Sequence, residues 1–116
     1  MAGLNSNIMY GSVDLLILKT LSFGGPKHGL AISDEIYRHS KNQLRVEGNA
    51  LYPSLHRLEG KGLIEGEWRV SDRGRRAKFY VITPSGRKRM QKAVREWISH
   101  TEAVRAVLEL AAADVQ

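Results

Sequence analysis

The chain has 116 residues, 42% of them apolar, no cysteine and a formal charge of +6, which allows one domain with a modest core and excludes disulfide and thiolate chemistry. No apolar run is long enough to span a bilayer, and the opening MAGLNSNIMYGS lacks the basic start and apolar core of a secretory signal, so the chain reads as cytoplasmic with no membrane partner. Ten of the lysines and arginines fall in residues 69–95 with a single acid, Asp72; that window carries +9 and the remainder −3, the footprint of a polyanion partner rather than of a merely soluble surface.

Gly11 to Phe23 is apolar on nearly all sides (Val13, Leu15, Leu16, Ile17, Leu18, Leu21), which predicts a buried first helix capped by Ser12 and covered in part by another chain. Gly24-Gly25-Pro26 ends it. A second helix is predicted from Gly29 to about Ser40, with Leu30, Ile32, Ile36 and Tyr37 inward. A third follows in GNALYPSLHRLEGKGL, where Leu51, Leu55 and Leu58 recur at helical spacing around Pro53. Proline is tolerated in the first turn, where amides lack partners, so this helix is predicted from Ala50 to Lys61, with Asn49 as N-cap and Gly62 as the left-handed residue after its end. With the leucines inward, Asn49, Tyr52, Pro53, His56 and Arg57 form its outer side.

The period then changes. LIEGEWRV (63–70) and AKFYVIT (77–83) read as two strands joined by a basic turn, SDRGRR. Thr83-Pro84 is a helix start, cap followed by proline. In the last helix, about 30 residues and roughly 45 Å long, Met90, Val94, Trp97, Thr101, Val104, Leu108 and Ala111 recur at alternating spacings of four and three. So small a domain cannot cover that stripe end to end, and the simplest cover is a second copy of the chain, the first and last helices of each sharing one interface. The polar end near Asp114 is expected to fray.

Three helices and a two-stranded basic wing make a winged helix-turn-helix, whose third helix enters the major groove while the wing approaches the neighbouring backbone. The expected class is therefore mainly α with a small β-hairpin: a DNA-binding unit over 1–83 and a C-terminal dimerisation helix over 84–116. DLLILKTLSFGGPKHGLAI (14–32), GNALYPSLHRLEGKGLIEGEW (48–68) and RRAKFYVITPSGRKRM (75–90) resemble the PadR family of transcriptional regulators, in its short subgroup with a single long C-terminal helix. The resemblance implies a homodimeric repressor relieved by a small molecule, bound to a two-fold symmetric operator on double-stranded DNA. DNA contacts are then expected from Asn49, Tyr52, Pro53, His56 and Arg57 of the third helix and from Arg73, Arg75, Arg76 and Lys78 of the wing; Arg76 has an alternative in a pair with Glu65 or Glu67. The dimer interface is expected at Met90, Val94, Trp97, Thr101, Val104 and Leu108. Some short members resembling this chain hold planar aromatic compounds between such tryptophans. Trp97, with Val94, Leu15 and Leu18, is thus either an effector contact or simply interface core.

The four histidines lie on different predicted elements, without nucleophile, acid partner or ligand spacing, so neither an enzyme, a metal site nor a cofactor is expected. A winged-helix adaptor binding proteins instead of DNA would explain the heptad stripe but not the basic wing. An RNA binder would need an aromatic-rich sheet face for stacking unpaired bases.

Overall fold

The computed structural model describes residues 6–70 and 72–115, with side chains from Ser12 onward. The chain runs α1 (Ser6–Leu21), β1 (Lys27–His28), α2 (Gly29–His39), α3 (Gly48–Gly60), β2 (Ile64–Val70), β3 (Arg76–Ile82), α4 (Pro84–Leu108) and a short 3-10 turn at Ala112–Asp114, where the sequence suggests fraying. It is a winged helix-turn-helix followed by one long helix, as the sequence predicts. The unforeseen element is β1, which pairs antiparallel with β3 (Lys27 opposite Tyr80, His28 opposite Phe79) and makes the sheet order β1-β3-β2. Two residues after Gly-Gly-Pro carry no readable period.

α1 begins earlier than predicted, at Ser6, so Ser12 lies inside the helix and does not cap it. Val13, Ile17, Leu18 and Leu21 are buried and Leu15 and Leu16 pack against them, in keeping with an apolar helix on most sides. α2 is capped by His28, whose Nδ1 accepts the Ala31 amide at 3.2 Å. Its buried stripe is Gly29, Ile32, Ser33 and Ile36. Leu30, expected inward, is 63% exposed, and Tyr37 is only half-buried beneath the Arg45 guanidinium at 3.9 Å. A glycine and a serine hold the two stripe positions that hydropathy assigns to Leu30 and Tyr37; the serine hydroxyl donates to the Val46 carbonyl at 2.8 Å.

α3 starts at Gly48 after an extended Glu47 that makes no side-chain cap, so Asn49 is not the N-cap but the second helical residue. Pro53 is the sixth, in the second turn rather than the first. The Asn49 carbonyl therefore receives no amide from it, a loss solvent can make good because both residues are exposed. The far end follows the prediction: Gly62 is left-handed (φ 73°), its amide donates to Glu59 O and the Leu63 amide to Leu58 O, each at 3.0 Å. This is a Schellman closure with Leu58 and Leu63 both in the core.

β2 and β3 pair from Ile64 opposite Ile82 to Val70 opposite Arg76, so β3 starts one residue before the predicted strand. At the tip residues 72–75 are described, with Gly74 left-handed at φ 77°; Ser71 of the predicted turn lies outside the described residues. Ile64, Gly66, Trp68 and Val70 share one face with Arg76, Lys78, Tyr80 and Ile82. That face looks toward α3, with Ile64 and Tyr80 in the core.

α4 starts as predicted, with Thr83 Oγ1 accepting the Gly86 amide at 3.0 Å and proline in the first turn. It is 25 residues long, shorter than predicted, and Ala111 falls beyond its end. Met90 is buried in the chain's own core and Val94 packs against it. From Trp97 onward every residue of the helix is exposed, including Ile98, Val104, Val107 and Leu108. The principal extents, 64 × 33 × 22 Å, describe a small body with a projecting helix.

Candidate nucleic-acid interface

The outer side of α3 presents Asn49, Tyr52, Pro53 and His56, all exposed. Tyr52 leans on the start of α2: a Cβ added at Gly29 would stand 2.9 Å from Tyr52 Cε1, so glycine there lets the ring settle. The Leu51, Leu55 and Leu58 stripe, with the fully buried Ser54, fixes which side faces out.

Arg57 is placed differently from the expectation. Its Nη2 lies 2.7 Å from Asp14 Oδ1 and 3.3 Å from Ser54 Oγ, and the serine hydroxyl donates to the same carboxylate oxygen. A guanidinium turned toward α1 in this way ties α3 to its neighbour. Arg57→Ala is therefore expected to lower stability by about 1–2 kcal/mol, the range for a partly exposed pair with a charge-assisted hydrogen bond. Asp14→Ala should add little on top of it, as read by urea denaturation of the double-mutant cycle. An unchanged denaturation midpoint, with base preference relaxed at one operator position, would return Arg57 to the DNA.

Lys78 is also engaged within the chain. Its Nζ lies 2.7 Å from Glu59 Oε1 and ties β3 to α3; the hydrogen bond with that carboxylate holds the ammonium pKa above its ordinary value. Burial raises the Tyr80 hydroxyl in turn. Gly66 makes room for this tie, since a Cβ there would overlap Lys78 Cε and come within 3.1 Å of Tyr80 Cε1. Arg76 pairs with neither Glu65 nor Glu67; its guanidinium lies over the Trp68 ring, 4.9 Å from the centroid. Glu67 instead accepts from Arg69 at 3.2 Å on the opposite face of the hairpin. Arg73 and Arg75 are exposed at the tip.

A cleft of about 360 Å³ separates the wing from the helices, lined by His28, Gly29, Leu30, Tyr52, Trp68, Arg76, Lys78 and Tyr80. Of these, Tyr52, Arg76 and Lys78 are expected at the DNA from the sequence, whereas His28, Gly29, Leu30, Trp68 and Tyr80 are not. The same-face spacing of Trp68 and Arg76 across a hairpin is the available signal. The basic window itself divides: Arg87, Lys88, Arg89, Lys92 and Arg95 belong to α4, where Arg87 donates to the Ser22 carbonyl at 3.0 Å.

The residues expected at an effector site are not brought together within one chain. Leu15 and Leu18 line a cleft of about 190 Å³ with Leu58, Leu63, Arg89 and Ala93. Trp97 lies farther along α4, in a shallow depression with Ile98, Thr101, Glu102 and Arg105. Among the described residues, no group of three or more His, Cys, Asp or Glu could hold a metal, and no helix is long and apolar enough to cross a membrane.

Residues 17–92 match the model of the transcriptional regulator PadR-like family. The chain belongs to that family. Its members are transcriptional regulators rather than enzymes, and this PadR-like chain carries their winged-helix DNA-binding fold. It is 34% identical over 105 residues to an uncharacterized protein of Lysinibacillus sphaericus, covering 90% of this chain and 94% of that one. It is 42% identical over 84 residues to the transcriptional regulator Rv3488 of Mycobacterium tuberculosis, covering 72% of this chain but 65% of the regulator. A transcriptional regulator from Clostridium thermocellum superposes with a TM-score of 0.77 at 27% identity, over 89% of this chain and 96% of that one. A PadR family regulator from Eggerthella lenta gives 0.75 at 27%, over 90% and 88%.

Proposed function

We propose that this PadR-like chain is a cytoplasmic repressor that binds a two-fold symmetric operator as a homodimer and is relieved by a planar aromatic effector. The outer side of α3, with Asn49, Tyr52, Pro53 and His56, reads the major groove. Arg73, Arg75 and Arg76 of the wing meet the adjacent backbone and groove, while Arg57 and Lys78 hold the reading elements in place. The observation that carries this reading is an uncovered α3 face beside an exposed arginine-rich tip whose one acid is Asp72. Residues up to Ile82 supply the DNA contacts. α4 supplies the dimer through Val94, Trp97, Thr101, Val104 and Leu108, whereas Met90 is taken up by the chain's own core. The effector would sit where Trp97 and Val94 of one copy approach Leu15 and Leu18 of the other.

A gel shift on duplex selected from random DNA, run at several salt concentrations, tests the DNA reading. Affinity should fall steeply with salt, and removing Arg73 and Arg75 together should flatten the log–log slope by roughly two units, about 0.9 for each phosphate no longer neutralised. Weak binding with no salt dependence would mark a protein-binding adaptor instead.

A further inference from the structure

The arginines and lysine expected at the DNA are restrained in different ways. Arg57 and Lys78 each hold a nitrogen 2.7 Å from a carboxylate oxygen, which offsets part of the charge they could offer a phosphate. Arg76 is restrained by an aromatic face. A guanidinium held over a ring is attracted by the ring's π face rather than by a carboxylate, so no acidic partner among the described residues offsets its charge and its N–H donors are not used up by the contact. The hairpin sets this up: Trp68 stands opposite Lys78, and Arg76, two residues before Lys78, is its diagonal neighbour on the same face. Trp68 is 56% exposed, large for a tryptophan with no core role, and the pair borders the cleft that Tyr52 of α3 also lines.

The geometry points to Trp68 as a positioning residue that holds Arg76 as a preformed blade for the DNA minor groove beside the site read by α3. This rests on the reading of the chain as a DNA-binding regulator. A phosphate on the outside of the duplex can be met by an arginine in almost any orientation. A groove only about 6 Å wide admits a flat guanidinium most readily when its plane is already set. Narrow A·T tracts concentrate negative potential there and attract arginine, so the pair would give a preference for flank shape with no base-specific hydrogen bond.

The test uses the duplex most enriched by the parent protein from random DNA, rebuilt with A·T-tract or G·C flanks around an unchanged centre. The parent should prefer the A·T flanks. Trp68→Leu should weaken binding to the A·T-flanked duplex by roughly two- to five-fold, the worth of an exposed cation–π contact, and leave the G·C-flanked duplex nearly unaffected. Trp68→Tyr, which keeps an aromatic face, should retain most of the preference. In an Arg76→Gln background, itself without flank preference, Trp68→Leu should change nothing more. Equal losses on both duplexes, a loss that persists in the Arg76→Gln background, or no flank preference in the parent would overturn the inference while leaving DNA binding intact. A parent protein that binds no duplex would overturn the regulator reading and this inference with it.

Discussion

Gly86→Ala is expected to be among the most damaging single-methyl additions in the chain, costing about 3 kcal/mol, the upper part of the usual range for overpacking. Gly86 is buried in the first turn of α4. A Cβ there would overlap the Leu63 carbonyl oxygen and lie 2.8 Å from Ile82 Cγ1. Alanine is the better helix former by about 1 kcal/mol, which would favour the variant if the site were open. The overlap wins because the obstructing atom is backbone. The Leu63 carbonyl also accepts the Thr83 amide at 3.1 Å and cannot retreat without losing that bond. Thermal unfolding followed by circular dichroism should show the midpoint falling by roughly 10 °C, taking about 4 °C per kcal/mol for a domain of this size. A midpoint equal to the parent's would show that the start of α4 can shift at no cost.

Trp97→Ala should act on assembly more than on the fold of the single chain. Its side chain is 43% exposed in one copy, so truncation there creates no core cavity. In the proposed homodimer each copy loses the residue. If the ring is interface core, two buried tryptophans at about 2 kcal/mol each would raise the dimer Kd roughly a thousandfold. Sedimentation over a range of concentrations measures this directly. The outcome also decides between the two roles open to this ring. If it lines a ligand cavity, the dimer survives the truncation, and in a Trp68→Tyr background that keeps Trp97 as the single tryptophan, planar aromatic compounds quench its emission. A collapsed dimer, with no quenching by any planar aromatic in the parent, would sink the effector proposal.

The parts of this molecule legible in the sequence are those that follow from period and caps. The Leu51, Leu55, Leu58 stripe, the strand pair around a basic turn, the Thr83-Pro84 start and the left-handed Gly62 are each visible because a local rule suffices. The misreadings fall where a distant neighbour decides. Leu30 faces outward because the inward positions of α2 are taken by Gly29, which lies against the Tyr52 ring, and by Ser33, whose hydroxyl donates to the Val46 carbonyl. Asn49 is not the cap because α3 begins at Gly48, after an extended Glu47, although asparagine has the better local credentials. The helical position of Arg57 points away from the leucines, which by itself suggests the DNA. Asp14, forty-three residues earlier, captures it, and no single-helix projection includes α1. The Trp68–Arg76 pair needs the register across the hairpin, which periodicity within either strand does not contain.

The end of α3, the end of β3 and the start of α4 meet at one joint. Thr83 Oγ1 donates to the Gly62 carbonyl at 2.8 Å, the Thr83 amide to Leu63 O, and Gly86 sits hard against that same oxygen. The axis of the long helix is thereby geared to the axis of the reading helix with little slack between them. In a dimer clasped through α4, this gearing works as a calliper, because the gap between the two α3 helices is inherited from how the α4 helices cross. One inserted base pair turns a half-site by roughly 35° about the duplex and slides it about 3.4 Å along it, neither of which a stiff calliper can follow. How sharply binding falls with operator spacing thus gauges the stiffness of a joint built around one threonine and one glycine.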